Sequence, residues 1–150
     1  MFLGQAVHTI DDKNRLAIPA RFRAELSTGV YVTKGVDRCL YLLTTDGWSR
    51  LAERIRALPS MQADARRLQR HFFAGADHLT PDKLGRIVIP SHLREYAQLE
   101  DEVVVVGVHS RIELWSKARW DAESTDADEH SALLAEQVTS LDGQLPELGI

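Results

Sequence analysis

The chain contains itself twice. Residues 11–23 return 71 positions later as residues 82–94, with Asp11/Asp82, Arg15/Arg86, Ile18/Ile89, Pro19/Pro90 and Arg23/Arg94 identical. Unrelated stretches of this length share about one identity by chance. Five identities, with Leu16/Ile87, Ala17/Val88 and Phe22/Leu93 matched in kind, therefore mark a tandem duplication. Upstream, Phe2 and Gly4 answer Phe73 and Gly75; downstream, at an offset of 72, Gly35 answers Gly107, Leu40 answers Ile112, Leu42 answers Leu114 and Trp48 answers Trp120. Whatever surface one copy presents, the molecule presents twice.

Two copies of about 72 residues in a 150-residue chain are each near the lower limit for an independent core, so the halves are expected to share one. The domain reading is residues 1–72 and 73–144 for the two repeats with their helices, and 145–150 as a free end. No long apolar run and no basic-then-apolar leader is present, which points to a cytoplasmic protein without a membrane span. The single cysteine, Cys39, reads as a small buried hydrophobe.

Net charge is -4, which at first argues against a polyanionic partner. The distribution changes that: residues 116–150 set Lys117 and Arg119 against eight acids, leaving residues 1–115 at +2. The cations of this first part are nearly all arginine, which suits bidentate recognition of phosphate or guanine.

Periodicity predicts strands over 5–10 and 15–18, a short helix from Pro19 to Leu26 ended by Gly29, and a hairpin over 30–36 and 39–44. Thr45 and Asp46 are candidate caps for a helix carrying Trp48, Leu51, Ile55 and Leu58, and a second helix is expected over 61–73 with Met61, Ala65, Leu68 and Phe72 on one stripe. The second copy repeats the order over 76–80, 86–89, 90–97, 103–108 and 111–115, its Val103–Val106 run expected to be buried on both faces. Residues 116–132 show weak periodicity, and Leu133, Leu134, Val138 and Leu141 suggest a last helix. The fold class is α+β, mainly β, with the copies pairing strands about a pseudo-two-fold axis.

The chemistry concentrates in the repeated Asp-x-x-x-Arg. An acid four residues before an arginine can bond the backbone of a turn while orienting the guanidinium, so Asp11 and Asp82 are loop-organising candidates. Lys13, Arg15, Arg21 and Arg23 in one copy, and Lys83, Arg86 and Arg94 in the other, put several cations on a narrow rim suited to a DNA groove. Arg66, Arg67 and Arg70 have no counterparts in the second copy and read as a surface face or subunit contact. The six histidines lack metal-ligand spacing, and no phosphate-cradling loop, nucleophile elbow or paired catalytic carboxylates occur. The expectation is no catalytic residue, no metal, no cofactor and no small-molecule substrate.

Two copies of Asp-x-x-x-Arg, each followed by a short apolar strand, a proline and a short helix with Arg, in a chain beginning Met1-Phe2-Leu3-Gly4, resemble the MraZ family of bacterial transcriptional regulators. The likeness spans nearly everything but the acidic C-terminal end. It implies two AbrB-like swapped-hairpin units forming a barrel with flanking helices, a ring of several subunits, and a nucleoid-associated protein. It also implies binding to double-stranded DNA at direct repeats in the promoter of the division and cell-wall gene cluster, through the loops 11–15 and 82–86. One departure stands out: His92 replaces the first copy's Arg21, which implies a weaker or pH-dependent second loop. The competing reading is a protein-interaction or scaffold module whose basic loops bind acidic partners, including the acidic tail of a neighbouring subunit. Deleting residues 121–150 separates them, since a competing tail predicts tighter DNA binding and a structural tail predicts lost assembly.

Overall fold

The computed structural model describes residues 1–142, with side chains through 138. The expected free end at 145–150 lies outside the described residues, as does the side chain of Leu141. Residues Met1–Lys117 make one compact unit, and the chain from Ala118 onward makes another.

In the first unit, β1 (Gln5–Thr9), β2 (Arg15–Ala17), α1 (Ala20–Arg23), β3 (Val30–Lys34), β4 (Leu40–Leu43), α2 (Thr45–Arg56) and α3 (Ala63–Ala74) come from the first copy. The second copy supplies β5 (Asp77–Leu79), β6 (Arg86–Val88), α4 (Ser91–Ala97), β7 (Glu102–Val108) and β8 (Arg111–Ser116). The strands form an antiparallel six-stranded sheet in the order β1-β7-β8-β4-β3-β5 and a separate two-stranded ribbon, β2-β6. The copies are thus interlocked: β1 lies on β7, β5 on β3, β4 on β8 and β2 on β6. The sheet's pairing ends at β1 and β5 and does not close into a barrel; both edges are short, which limits the template they offer to other chains.

Register makes the pseudo-two-fold explicit. Tyr41 pairs with its own counterpart Glu113, and Leu16 with its counterpart Ile87, so the axis passes through both ladders. Glu113 is buried there with its charge matched: it accepts from Arg111 Nε at 2.9 Å and from Trp115 Nε1 at 3.0 Å, while Arg111 lies over the Tyr41 ring. One core runs through both copies, taking Leu16, Ile18, Phe22, Leu40 and Leu42 together with Ile87, Ile89, Leu93, Ile112 and Leu114. Val103 to Val106 are buried on both faces, as their unbroken apolar run demands.

Several boundaries differ from the sequence expectation, each for a local reason. The first short helix lasts only from Ala20 to Arg23, with Pro19 as its cap; the chain then continues as i to i+3 turns, Leu26 N–H to Arg23 O and Gly29 N–H to Leu26 O, so Leu26 still reaches the core. Thr44, one residue earlier than expected, caps α2, its Oγ1 accepting from Gly47 N at 3.0 Å. Trp48 stacks on Tyr31 and takes the Phe73 ring on its edge, an anchor between helix and sheet. Met61 precedes α3 and is exposed, so the buried stripe of that helix is Ala65 and Phe72 alone.

The Gly35/Gly107 match is a coincidence of alignment. Leu40 and its counterpart Ile112 pair with Lys34 and Gly107, with five residues between the first pair and four between the second, which sets Lys34, not Gly35, at the place of Gly107. Gly107 has its own reason: a Cβ there would sit 2.5 Å from Leu3 N and 2.6 Å from Phe2 C, where the N-terminal segment, bridged through Phe2 to His109, runs close beside the end of β7. Burial also pushes the Cys39 thiol up to about 12, with the nearby Glu113 charge adding to the rise. Cys39 is accordingly expected to resist thiol reagents at neutral pH in the native protein and to react within the mixing time in denaturant, as a chromogenic disulfide assay would record.

Helix α5 (Lys117–Glu129), all but its first residue in the second unit, and α6 (Ser131–Asp142) follow one another with only His130 between them. The weakly periodic acidic stretch is thus helical, since Ala, Glu and other helix formers need no apolar stripe to adopt that backbone. None of the described residues forms a helix long and apolar enough to cross a membrane.

Candidate nucleic-acid interface

Each Asp-x-x-x-Arg folds into the same small machine. In loop 11–15, Asp11 Oδ1 accepts from the backbone N–H groups of Lys13 and Arg15, both at 2.9 Å, while Oδ2 takes Arg15 Nε at 2.7 Å. In loop 82–86, Asp82 repeats this with Leu84 N and Arg86 N, both at 2.9 Å, and with Arg86 Nε at 2.8 Å. A carboxylate holding two backbone donors and a guanidinium is worth more as a splint than as an ion pair, because the pairs are one-third exposed and solvent screens them. Among the described residues neither Nη group of Arg15 or Arg86 makes a hydrogen bond, so the fork of each guanidinium is oriented but uncommitted.

These loops close through a residue that sequence reasoning passed over. Asn14 and its counterpart Gly85 both adopt positive φ, 61° and 74°, the left-handed position that follows a tight turn and that Gly and Asn tolerate best. Their equivalence in the repeat was the available signal. Each also ties the copies together: Ile18 N–H donates to Gly85 O at 2.9 Å and Ile89 N–H to Asn14 O at 3.0 Å.

The ribbon then sets the direction of the arginines. Register pairs Arg15 with Val88, Leu16 with Ile87 and Ala17 with Arg86. Side chains alternate along a strand and directly opposed residues share a face, so Leu16 and Ile87, each 1% exposed, point into the core. Arg15, Ala17, Arg86 and Val88 therefore share the outward face. The two arginines are diagonal neighbours on it, roughly 7–8 Å apart by ladder geometry and somewhat less between Cβ atoms.

The remaining expected cations divide. Lys13 and Lys83 are exposed within the two loops. Arg23 and Arg94 instead brace the fold, donating Nε to Ile18 O at 2.8 Å and to Ile89 O at 3.0 Å, with Arg23 packed against Gly85. Arg21 lies over the Phe22 ring and against Gly4; His92, its counterpart, reaches Gly75 O at 3.4 Å, so both are held to the glycine that begins their copy. Among the described residues no three His, Cys, Asp or Glu side chains gather into a metal-holding group.

Backbone hydrogen bonds from Arg15 and from Arg86, above all, hold the Asp11 and Asp82 carboxyls below the usual 3.8. A carboxylate with a lowered pKa stabilises the folded loop above the ordinary carboxylate range and loses that contribution as pH falls through the lowered value. The loops are expected to keep their order from neutral pH down to about pH 4 and to loosen only below 3.8. A carbon-detected titration of the two carboxyls should give midpoints under that value; midpoints at or above it would contradict the splint.

A duplicated, interlocked β-hairpin protein with paired arginine loops on one ribbon face is the class that fold and site define. Its sequence matches the family described as "MraZ protein, putative antitoxin-like" twice, over residues 1–71 and 72–141. It is similar to proteins named transcriptional regulator MraZ: 47% identical to that of Moorella thermoacetica over 95% of this chain and 99% of the relative, and 48% identical to that of Desulfitobacterium hafniense over 94% and 99%. The relative from Roseiflexus castenholzii is 45% identical over 94% of this chain and 99% of its own. The chain belongs to the MraZ family.

Proposed function

We propose that this chain is a sequence-specific DNA-binding transcriptional regulator that recognises direct repeats in the promoter of the division and cell-wall gene cluster, working on the nucleoid as a homo-oligomeric ring. In this reading each copy is an AbrB-like unit, and sheet and ribbon together make a pseudo-two-fold barrel. The observation that carries it is the shared outward face of Arg15 and Arg86, whose Nε atoms are tied down while their terminal nitrogens are left for another partner. The major groove of B-DNA admits a two-stranded β-ribbon, and an arginine fork matches the O6 and N7 acceptors of guanine. Lys13 and Lys83 flank as phosphate contacts, with Arg21, Arg23 and Arg94 adding positive charge behind the loops.

The energetics make a ring useful. One ribbon neutralising a few phosphates binds at roughly 10⁻⁴ to 10⁻⁶ M, whereas linked ribbons on regularly spaced sites gain about 10² to 10⁴ in avidity. A gel-shift titration with the DNA upstream of the protein's own gene, beside a duplex with the repeats scrambled, tests this. The expected result is at least about 100-fold preference for the intact repeats, with log K falling by about 0.9 per phosphate contact against log salt. Equal affinity for both duplexes would overturn the reading.

A further inference from the structure

We propose that Val88 is a base-reading residue, contacting the C5 methyl of a thymine beside the guanine taken by Arg15, and that the DNA word under one ribbon is therefore asymmetric. The inference rests on the ribbon entering the major groove. Single exposed apolar residues are ordinary on protein surfaces and need no explanation. Val88 differs in its position. It is 54% exposed, and it stands directly across the ladder from Arg15 on the one face that carries both arginines.

Directly opposed Cβ atoms in an antiparallel pair are about 4.5–5.5 Å apart, comparable with the spacing of neighbouring base pairs at about 3.4 Å. An arginine and a valine so placed can meet adjacent base pairs at once. The groove edge offers matching chemistry, guanine O6 and N7 for the fork and the thymine methyl for an apolar side chain.

The duplication sharpens the point, because symmetry is broken in this feature. Arg86 faces Ala17 where Arg15 faces Val88, and the exposed tip residue is Lys13 in one loop but Leu84, 61% exposed, in the other. Ala17 reaches less far than Val88, so the two arginines sit beside unequal apolar partners. A ribbon with true two-fold chemistry would read a palindrome; this one distinguishes the two directions of the duplex.

The test is a cycle between side chain and base. Duplexes enriched from a random pool by the full-length protein define the preferred word, and each thymine in it is then replaced in turn by deoxyuridine, which removes only the methyl. Expected is a single thymine, adjacent to a guanine, whose replacement weakens wild-type binding by about threefold to fivefold, the loss of one buried methyl. Val88→Ala should weaken binding to the thymine duplex by a similar factor and be indifferent to deoxyuridine, and Val88→Thr, which preserves the β-branch of the strand, should retain part of the preference. Wild-type protein indifferent to deoxyuridine at every thymine would overturn the assignment, as would an undiminished penalty in Val88→Ala. A changed sedimentation coefficient for Val88→Ala would also overturn it, by placing the residue in a subunit contact. Arg15→Ala in the same series separates the two levels: if it binds as wild type, groove reading itself fails; if it weakens binding while deoxyuridine is silent, only the role of Val88 fails.

Discussion

Replacing Arg15 and Arg86 together by alanine is expected to reduce binding of repeat DNA to the level of a scrambled duplex while leaving fold and assembly unchanged. Each arginine fork on a guanine is worth about 1–3 kcal/mol of discrimination, so either single variant should bind about 5- to 150-fold more weakly. The double variant should lose what distinguishes the repeats from other DNA. Structure should survive, because both arginines lie at the surface, 28% and 30% exposed, and such pairs contribute between zero and about 1 kcal/mol. Asp11 and Asp82 still hold their turn N–H groups without them. Fluorescence anisotropy gives the affinities, and circular dichroism with sedimentation checks the rest. Normal binding by the double variant would remove the loops from the interface.

The opposite outcome is expected one residue along each strand. Leu16→Ala and Ile87→Ala should each destabilise the protein by about 2–5 kcal/mol, since both side chains are fully buried where the axis crosses the ribbon. Domains of this size hold about 5–15 kcal/mol in total, so the double variant is expected to unfold near room temperature. The residues are cross-strand partners, and their effects should not add simply. Here DNA binding is lost because the face that carries the arginines no longer exists. Thermal melts distinguish this from the arginine case, and a double variant with an unchanged melting temperature would contradict the shared core.

Much of this was legible in the repeat itself. Identity between Asp11/Arg15 and Asp82/Arg86 marked the loops, and apolar matches such as Leu16/Ile87 and Phe22/Leu93 marked a core that both copies line. What the one-dimensional pattern withheld was pairing. Nothing in the spacing says that β2 meets β6 and not β1, yet that single ladder turns two separate loops into one face. Arg23 and Arg94 were marked only as cations near the loop. That each also donates Nε to a backbone carbonyl, of Ile18 and of Ile89, depends on the turn after the proline and has no sequence signal. The acidic stretch after Ser116 showed only a helix start, through the match of Trp120 to Trp48, and its extent stayed hidden for a different reason: an exposed helix carries no apolar stripe to announce it.

The central claim is that the outward face of the ribbon lies in the major groove. Dimethyl sulfate methylates guanine N7, which lies in that groove, and footprints it directly on repeat DNA saturated with protein. Guanines within each repeat are expected to be protected by the wild-type protein, with protection lost for Arg15→Ala/Arg86→Ala at concentrations high enough to occupy the DNA. Saturated repeats whose guanines all react as they do in free DNA would contradict it.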